Sequence, residues 1–310
     1  MKFAMVFPGQ GSQSIGMMRG YEGLPMIRET FTEASEVLGE DIWDWVTTGS
    51  DEDLAQTQHT QPVMLTAGVA IYRAWLALGG AKPDFLAGHS LGEYTALVAA
   101  EALSFSDALR AVQRRALLMQ NQVPDGQGGM VAILGLADEK VQQLCEQAAE
   151  SDILECANFN TIGQVVVAGQ IQAVERVLKL ATSFGAKRAI RLNMSIPSHC
   201  TLMKGAAEKL AVFLESLTFF SPRIPVLHNA TVSFAKTGDS IREALTRQLY
   251  QPVRWVATMN YFADQSVSYV VECGPGKVLS GMTKRADARL TGLGLSDVVQ
   301  LQDILQMIHA

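Results

Sequence analysis

The hydrophobic positions of the chain alternate between short apolar runs and longer apolar stretches. Residues 3–7 form an apolar run that ends at a Pro-Gly turn, and residues 85–87 repeat the pattern before another glycine. Such runs, bounded by turn residues, predict buried strands. Residues 63–78 are long and apolar enough for a buried helix, and a second helix is expected over 93–103. Strands that alternate with buried helices predict an α/β domain.

The pattern of apolar and polar positions changes after residues 124–129, where a proline and three glycines predict a linker. The pattern that follows predicts a strand, a helix, two strands joined by a turn over 160–163, a helix and a strand. These elements are expected over 130–134, 138–150, 153–157, 164–168, 170–184 and 188–193. The order βαββαβ is that of a ferredoxin-like unit. From about Ser195 the mixed α/β pattern returns, with an apolar strand over 267–271. We therefore predict a small ferredoxin-like domain, residues 125–195, inserted into a larger α/β domain formed by residues 1–124 and 196–310.

Composition narrows the class of protein. The chain has 310 residues, of which 48% are hydrophobic and 18% charged, as expected for a folded globular protein. Its net charge of −6 does not suit a nucleic-acid-binding surface. Four cysteines without CxxC spacing predict neither a zinc site nor a disulfide framework. No apolar stretch approaches about 20 residues, and the N-terminal run is too short for a signal peptide, so we expect a cytoplasmic protein without a membrane segment.

The segment Gly88-His89-Ser90-Leu91-Gly92 fits G-x-S-x-G, in which a serine occupies a tight turn between a strand and a helix. Glycines two residues either side of the serine allow the turn to press against its neighbours, where a side chain would clash. The predicted strand before the motif and the predicted helix after it provide the required context. Ser90 is therefore the candidate nucleophile.

A nucleophilic serine needs a base, and the chain has five histidines. His199 lies where the chain returns from the insertion to the large domain, which makes it the candidate. His89 is adjacent to the serine, where successive side chains diverge, and is a doubtful base. His59 and His228 have no distinguishing context, and His309 lies at the terminus. No acidic residue stands out as a third member of a triad.

The loop after the first strand, residues 9–13, contains two glycines around Gln10 but is not a dinucleotide-binding fingerprint, because Ser14 stands where the third glycine would be. An amide between flexible glycines suits a donor to a developing oxyanion, with the backbone N–H of Leu91 as the second donor. A plain tight turn is the alternative interpretation.

Arg115, although charged, lies on the apolar face of its predicted helix. Helical geometry over the segment that begins near residue 106 places Arg115 among the apolar side chains, whereas Arg110 and Arg114 point to the opposite side. A buried guanidinium requires a partner, and a carboxylate can pair with it bidentately. The partner is either an internal Asp or Glu or the anion of a substrate.

These motifs together resemble the malonyl-CoA:acyl carrier protein transacylases of fatty acid synthesis and their acyltransferase relatives in polyketide synthases. The resemblance covers nearly the whole chain, through residues 7–13, 88–94, 115, 158–160, 163–166, 197–199, 248–249, 252–253 and 274–277. It implies an α/β-hydrolase-like large domain with a ferredoxin-like insertion. It also implies transfer of a malonyl group from malonyl-CoA to the phosphopantetheine thiol of acyl carrier protein through a malonyl-serine intermediate.

The resemblance assigns a role to each candidate residue. Ser90 is implied as nucleophile, His199 as base, Gln10 and the Leu91 amide as oxyanion donors, and Arg115 as the group that binds the malonyl carboxylate. The main-chain carbonyl of Gln248 would orient the histidine, which accounts for the missing acid. His89 and Asn160 are implied to bind substrate. No metal and no cofactor is expected, and we expect a monomer.

Three other functions remain open at this point. A free-standing acyltransferase of a polyketide pathway would use the same chemistry with a different carrier. A thioesterase of the α/β-hydrolase type would use water as acceptor and would give Arg115 no role. A carrier-binding protein without activity would form no acyl-serine. Because carrier proteins are usually acidic, docking on a chain of net negative charge requires a local basic surface. The candidates are Lys187, Arg188, Arg191, Lys277, Lys284 and Arg285.

Overall fold

The protein has a mixed α/β architecture with a parallel sheet, as predicted. A computed structural model describes residues 2–194 and 196–309; Met1, Ser195 and Ala310, which the predicted domain bounds include, lie outside the described residues. The strands of this part are β1 Phe3–Phe7, β2 Phe85–Gly88, β3 Gly128–Leu134, β4 Leu154–Thr161, β5 Gln164–Gln170, β6 Arg188–Arg191, β7 Val226–Leu227, β8 Tyr269–Glu272 and β9 Thr291–Gly294.

The helices surround two sheets. They are α1 Pro25–Leu38, α2 Ile42–Thr47, α3 Asp51–Ala55, α4 Thr57–Ala77, α5 Gly92–Ala99, α6 Phe105–Gln120, α7 Asp138–Ala149, α8 Ile171–Leu180, α9 Lys204–Glu215, α10 Gly238–Gln248, α11 Trp255–Asp264, α12 Val278–Ala286 and α13 Val298–His309. Short 3₁₀ turns cover Arg19–Tyr21 and Thr201–Met203. No helix within the described ranges is long and apolar enough to cross a membrane.

The larger sheet is parallel throughout, in the strand order β7-β2-β1-β8-β9. All five residues of β1 are buried, which explains its continuous apolar run: a central parallel strand has helices on both faces. The carboxyl ends of β1 and β2 lie side by side, with Phe7 in register with Gly88. The loop that carries Gln10 and the turn that carries Ser90 therefore leave the sheet at the same edge.

The smaller sheet is antiparallel, in the strand order β4-β5-β3-β6, and its chain order with α7 and α8 is βαββαβ. One face packs on α7 and α8 in a core of its own. The opposite face includes Met130 and Val166, against which Cys200 packs. The two sheets are joined through Val253, whose N–H donates to Ala157 O at 2.8 Å and whose C=O accepts from Phe159 N–H at 2.9 Å.

Several boundaries differ from the sequence prediction, and three of them show why. Gly128 and Gly129, predicted as linker, begin β3, where they pair with β5. Strand β4 continues to Thr161, so the turn before β5 is shorter than predicted. Helix α5 ends at Ala99 instead of residue 103, because the chain reverses at Glu101, whose φ is 57°. In each case pairing or a turn that depends on a distant segment overrides the local pattern.

Candidate active site

Ser90 lies in the turn between β2 and α5 with a left-handed backbone, φ 52°. A Cβ on Gly88 would lie 1.8 Å from the carbonyl carbon of Gly92, and a Cβ on Gly92 would lie 2.1 Å from Phe7 O. The predicted reason for the two glycines, close backbone approach, is therefore confirmed. A left-handed conformation at a non-glycine residue costs of order 1–3 kcal/mol and must be maintained by its surroundings.

His199 is the histidine that contacts the serine. Its Nε2 lies 2.8 Å from Ser90 Oγ, and its Nδ1 lies 2.7 Å from the main-chain oxygen of Gln248. Because a carbonyl oxygen only accepts, Nδ1 carries the proton and Nε2 accepts the hydrogen bond from the serine hydroxyl. Burial, with a contribution from the positive charge of Arg115, lowers the pKa of His199 to about 3. The ring is therefore a neutral proton acceptor at physiological pH.

Arg115 extends from α6 into the same site and is 1% exposed. Its Nη1 donates to Gln61 Oε1 at 2.8 Å, and its Nη2 donates to Ser90 Oγ at 3.0 Å and to Gln248 Oε1 at 3.1 Å. Its Nε has no partner among the described residues. No Asp or Glu of residues 2–194 and 196–309 forms an ion pair with it. Burial lowers the pKa of Arg115, because desolvation disfavours the charged form by more than the nearby Tyr94 and Glu93 favour it.

Gln10 lies in the loop after β1, and Leu91 follows Ser90 directly in the turn before α5. Gln10 Oε1 accepts a hydrogen bond from Thr57 Oγ1 at 2.8 Å, which leaves the Nε2 donors of this amide available. Leu91 is the N-cap of α5, and no acceptor for its N–H is found in the described part of the chain. Both residues line the cavity at Ser90. Two donors of this kind suit the stabilisation of an oxyanion.

His89 and Asn160 form a contact between the two sheets. His89 Nε2 lies 2.8 Å from Asn160 Oδ1, and burial lowers the pKa of His89. The neutral ring therefore donates to the amide oxygen and makes no hydrogen bond to Ser90. Asn160 belongs to β4, so the small sheet contributes one wall of the site.

These side chains surround a cavity of about 200 Å³ between the sheets. The parallel-sheet part contributes the loop at Gln10, the turn at Ser90, and α12 through Leu279 and Met282, while the small sheet contributes Met130 and Val166. Within the described ranges, no cluster of three or more His, Cys, Asp or Glu side chains could hold a metal ion.

Sequence reasoning missed several residues that contact the candidates. Gln61 is a neutral partner of Arg115, and the side chain of Gln248 joins Arg115 to the Ser90 backbone, since its Nε2 donates to Ser90 O at 2.8 Å. Asn229 contacts the serine turn from the loop after β7. A glutamine in an apolar helix was a usable signal for Gln61, whereas nothing in the pattern around Asn229 distinguished it from an ordinary loop residue.

Known proteins share this arrangement of the chain. Residues 4–293 match the family model described as acyl transferase domain. The chain is 48% identical over 307 residues to malonyl CoA-acyl carrier protein transacylase of Escherichia coli (strain K12), with 99% of each chain covered. It resembles the crystal structure of an acyl carrier protein S-malonyltransferase from Vibrio cholerae O1 biovar eltor, with a TM-score of 0.96, 49% identity, and 98% of this chain and 100% of that chain covered. A malonyl-transacylase solved in complex with a type II PKS acyl-carrier protein gives a TM-score of 0.98 at 47% identity over 99% of this chain and 100% of that chain.

Proposed function

The chain belongs to the acyl transferase family, among the malonyl-CoA:acyl carrier protein transacylases, and we propose that Ser90 is the residue that carries the malonyl group between its two substrates. The enzyme transfers a malonyl group from malonyl-CoA to acyl carrier protein in fatty acid synthesis. The observation that supports Ser90 best is the position of its Oγ, 2.8 Å from a neutral imidazole nitrogen and 3.0 Å from a guanidinium nitrogen.

In the first half-reaction, Ser90 Oγ attacks the thioester carbonyl of malonyl-CoA while His199 Nε2 takes the hydroxyl proton. The new Oγ–C bond gives a tetrahedral intermediate, whose oxyanion accepts hydrogen bonds from Gln10 Nε2 and Leu91 N–H. The C–S bond then breaks, and CoA leaves as the thiol with the proton from His199. The carbonyl of Gln248 keeps the imidazole in the tautomer that this proton transfer requires.

In the second half-reaction, the phosphopantetheine thiol of the carrier protein attacks the malonyl-serine ester. His199 accepts the thiol proton and returns it to Ser90 Oγ as the ester bond breaks. The two thiols have the same chemical form, so one arrangement of base and oxyanion donors serves both steps. Ping-pong kinetics follow from the covalent intermediate.

Arg115 is the proposed partner of the malonyl carboxylate. Its present partners, apart from the nucleophile itself, are amide oxygens, and its Nε is unpaired. A carboxylate in the cavity would supply charge-assisted, bidentate hydrogen bonds that Gln61 and Gln248 do not supply. An acetyl group would leave the guanidinium without its anion, so Arg115 favours malonyl over acetyl. His89 and Asn160, which line the same cavity, are proposed to bind substrate.

We also propose that the two sheets belong to two domains. We assign residues 1–124 and 196–310 to an α/β-hydrolase-like catalytic domain and residues 125–195 to a ferredoxin-like small domain. Separate hydrophobic cores and the strand order β4-β5-β3-β6 support this division. We propose the cytoplasm as the place of the reaction, where carrier proteins and CoA esters meet.

Intact-protein mass spectrometry tests the assignment of the nucleophile. Incubation with malonyl-CoA is expected to add one malonyl group to the wild-type protein and none to Ser90→Ala. Holo acyl carrier protein should then remove the adduct and become malonylated. A malonyl adduct on Ser90→Ala would refute the assignment of Ser90. Release of free malonate with no transfer to the carrier would instead indicate a thioesterase.

A further inference from the structure

Asn229 contacts the turn that carries Ser90, and all four of its polar groups form hydrogen bonds. Its side chain accepts from Ser90 N–H at 2.7 Å and donates to Gly88 O at 2.7 Å. Its main-chain N–H donates to Glu93 Oε2 at 2.9 Å, and its main-chain oxygen accepts from Arg254 N–H at 3.1 Å. The residue is 1% exposed, so these four hydrogen bonds are made without competition from water.

The side chain of Asn229 forms hydrogen bonds with two backbone groups of the turn, Ser90 N–H and Gly88 O. Ser90 has a left-handed backbone, and a single amide side chain bridges the N–H of this residue and the carbonyl two residues earlier. Gln248 Nε2 binds the carbonyl of Ser90 from the other side. Both backbone polar groups of the serine are thus occupied by side-chain amides, and Leu91 N–H is the next donor along the turn.

Glu93 and His228 fix the position of Asn229. Glu93 lies in the first turn of α5, is fully buried, and accepts from His228 Nδ1 at 2.7 Å through the oxygen that Asn229 does not use. His228 precedes Asn229 in the chain, so a single buried carboxylate binds two consecutive residues of this loop. The loop and the start of α5 therefore form one unit around the nucleophile turn.

We propose that Asn229 is a positioning residue for the transfer reaction: it maintains the backbone conformation of Ser90 that directs Oγ to His199 and leaves Leu91 N–H for the oxyanion. The inference rests on the proposed function of Ser90. Asn229 does not line the cavity around Ser90, so it acts through the serine and not on the substrate. Its loss is expected to lower kcat and to leave the KM for malonyl-CoA nearly unchanged, because a displacement of about 1 Å at a nucleophile can cost about 10²-fold in rate.

Steady-state and single-turnover kinetics of Asn229→Ala and Asn229→Asp test this proposal. For Asn229→Ala we expect kcat and the rate of malonyl-serine formation to fall about 10²-fold, with KM for malonyl-CoA within about twofold. Asn229→Asp keeps an acceptor for Ser90 N–H but loses the donor to Gly88 O, so it should retain more activity than the alanine variant. The matched control is Thr30→Val on α1, which replaces a buried hydroxyl that donates to Met26 O and accepts from Arg73 Nη1. This control should lower the melting temperature and leave kcat unchanged.

Three results would overturn the proposal. The first is a kcat of Asn229→Ala within threefold of wild type, and the second is a rise in KM as large as the fall in kcat. The third is an equal loss of kcat in Thr30→Val at the same loss of thermal stability. If Asn229→Ala does not fold, Asn229→Asp carries the test, and unchanged kinetics in that variant refute the inference. Failure of wild-type protein to form a malonyl-serine would refute the proposed function instead, so the two failures are distinguishable.

Discussion

Arg115 Nη2 donates a hydrogen bond to Ser90 Oγ across 3.0 Å. The same Oγ lies 2.8 Å from His199 Nε2, so the hydroxyl accepts from a cation and donates to a neutral base. The guanidinium therefore binds one lone pair of the nucleophile. If Arg115 binds the malonyl carboxylate as proposed, that carboxylate would compete for the same Nη2 donor and free the Oγ lone pair. Substrate recognition and nucleophile activation would then be coupled through one side chain.

Arg115→Ala is expected to change the choice of acyl group. The ratio of kcat/KM for malonyl-CoA to that for acetyl-CoA should fall about 10²-fold, since a charge-assisted hydrogen bond contributes roughly 1.5–3 kcal/mol and each 1.4 kcal/mol is tenfold. Parallel assays with the two CoA esters measure the ratio. Arg110→Ala is the control, because Arg110 lies exposed on the same helix and pairs with Asp107. An unchanged ratio in Arg115→Ala would exclude the carboxylate-binding role.

The low pKa of His199 predicts the pH dependence of acylation. His199 is neutral above its pKa of about 3, and kcat/KM reports the free enzyme. With acetyl-CoA, which avoids titration of the malonyl carboxylate, kcat/KM should therefore show no loss as the pH falls through 6.5, where an ordinary histidine protonates. Arg115→Ala removes a positive charge that lowers this pKa, so its acid limb should lie at higher pH. A wild-type acid limb centred near pH 6.5 would contradict the assignment of His199 as a base with a lowered pKa.

The lowered pKa of His199 also limits the pH range over which kcat/KM can be measured on the folded protein. Between pH 6.5 and about 3 the unfolded chain protonates His199 whereas the folded protein does not, so the free energy of unfolding falls as the pH falls in this window. Circular dichroism at each pH identifies the range in which the fold is intact, and the rates are compared only there.

Local pattern was sufficient to predict the parts of the site that depend on neighbouring residues. The run Phe3–Phe7 is β1 to the residue, because a central parallel strand buries both of its faces. Helical periodicity placed Arg115 on the buried face of α6, and the structure has it there. The two glycines around Ser90 were predicted from sterics, which act over a few ångströms of the same turn.

Contacts between distant segments could not be predicted in this way. Asn229 reaches Ser90 across 139 positions of sequence, from the loop after β7, a two-residue strand that is too short to have a pattern. His228 had no distinguishing context because its partner, Glu93, lies on another element. The choice between an internal acid and a substrate anion for Arg115 also depended on which side chains of α4 and α10 the fold brings to it.

Gly92→Ala should unfold the protein or destabilise it severely. The new Cβ would lie 2.1 Å from Phe7 O, and neither backbone segment can withdraw, because Phe7 ends the central strand and Gly92 begins α5. We expect a loss of at least about 3 kcal/mol in the free energy of unfolding, measured by chemical denaturation. Gly281→Ala is the control: nothing lies within 4 Å of its Cβ position on α12, so this variant should be slightly more stable. Equal stability of the two variants would contradict the steric argument.

Helix α12 connects the cavity at Ser90 to two exposed basic residues, where we expect the carrier to dock. Val278, Leu279 and Met282 line the cavity, while Lys284 and Arg285 are exposed in the last turn of the same helix. An acidic carrier bound to these two cations would hold its phosphopantetheine arm beside the cavity. The double variant Lys284→Glu, Arg285→Glu should therefore raise the KM for acyl carrier protein about tenfold at low salt, with a smaller effect at high salt because ions screen exposed charges.

The first half-reaction separates docking from catalysis. Malonyl-serine formation at saturating malonyl-CoA should proceed in the double variant at the wild-type rate, because neither residue reaches Ser90. Lys209→Glu on α9 makes the same kind of charge reversal at an exposed position that does not line the cavity, and its carrier KM should stay at the wild-type value. If the double variant keeps the wild-type carrier KM at every salt concentration, the carrier does not dock on α12, and the basic residues of the small sheet, Lys187 and Arg188, become the surface to reverse next.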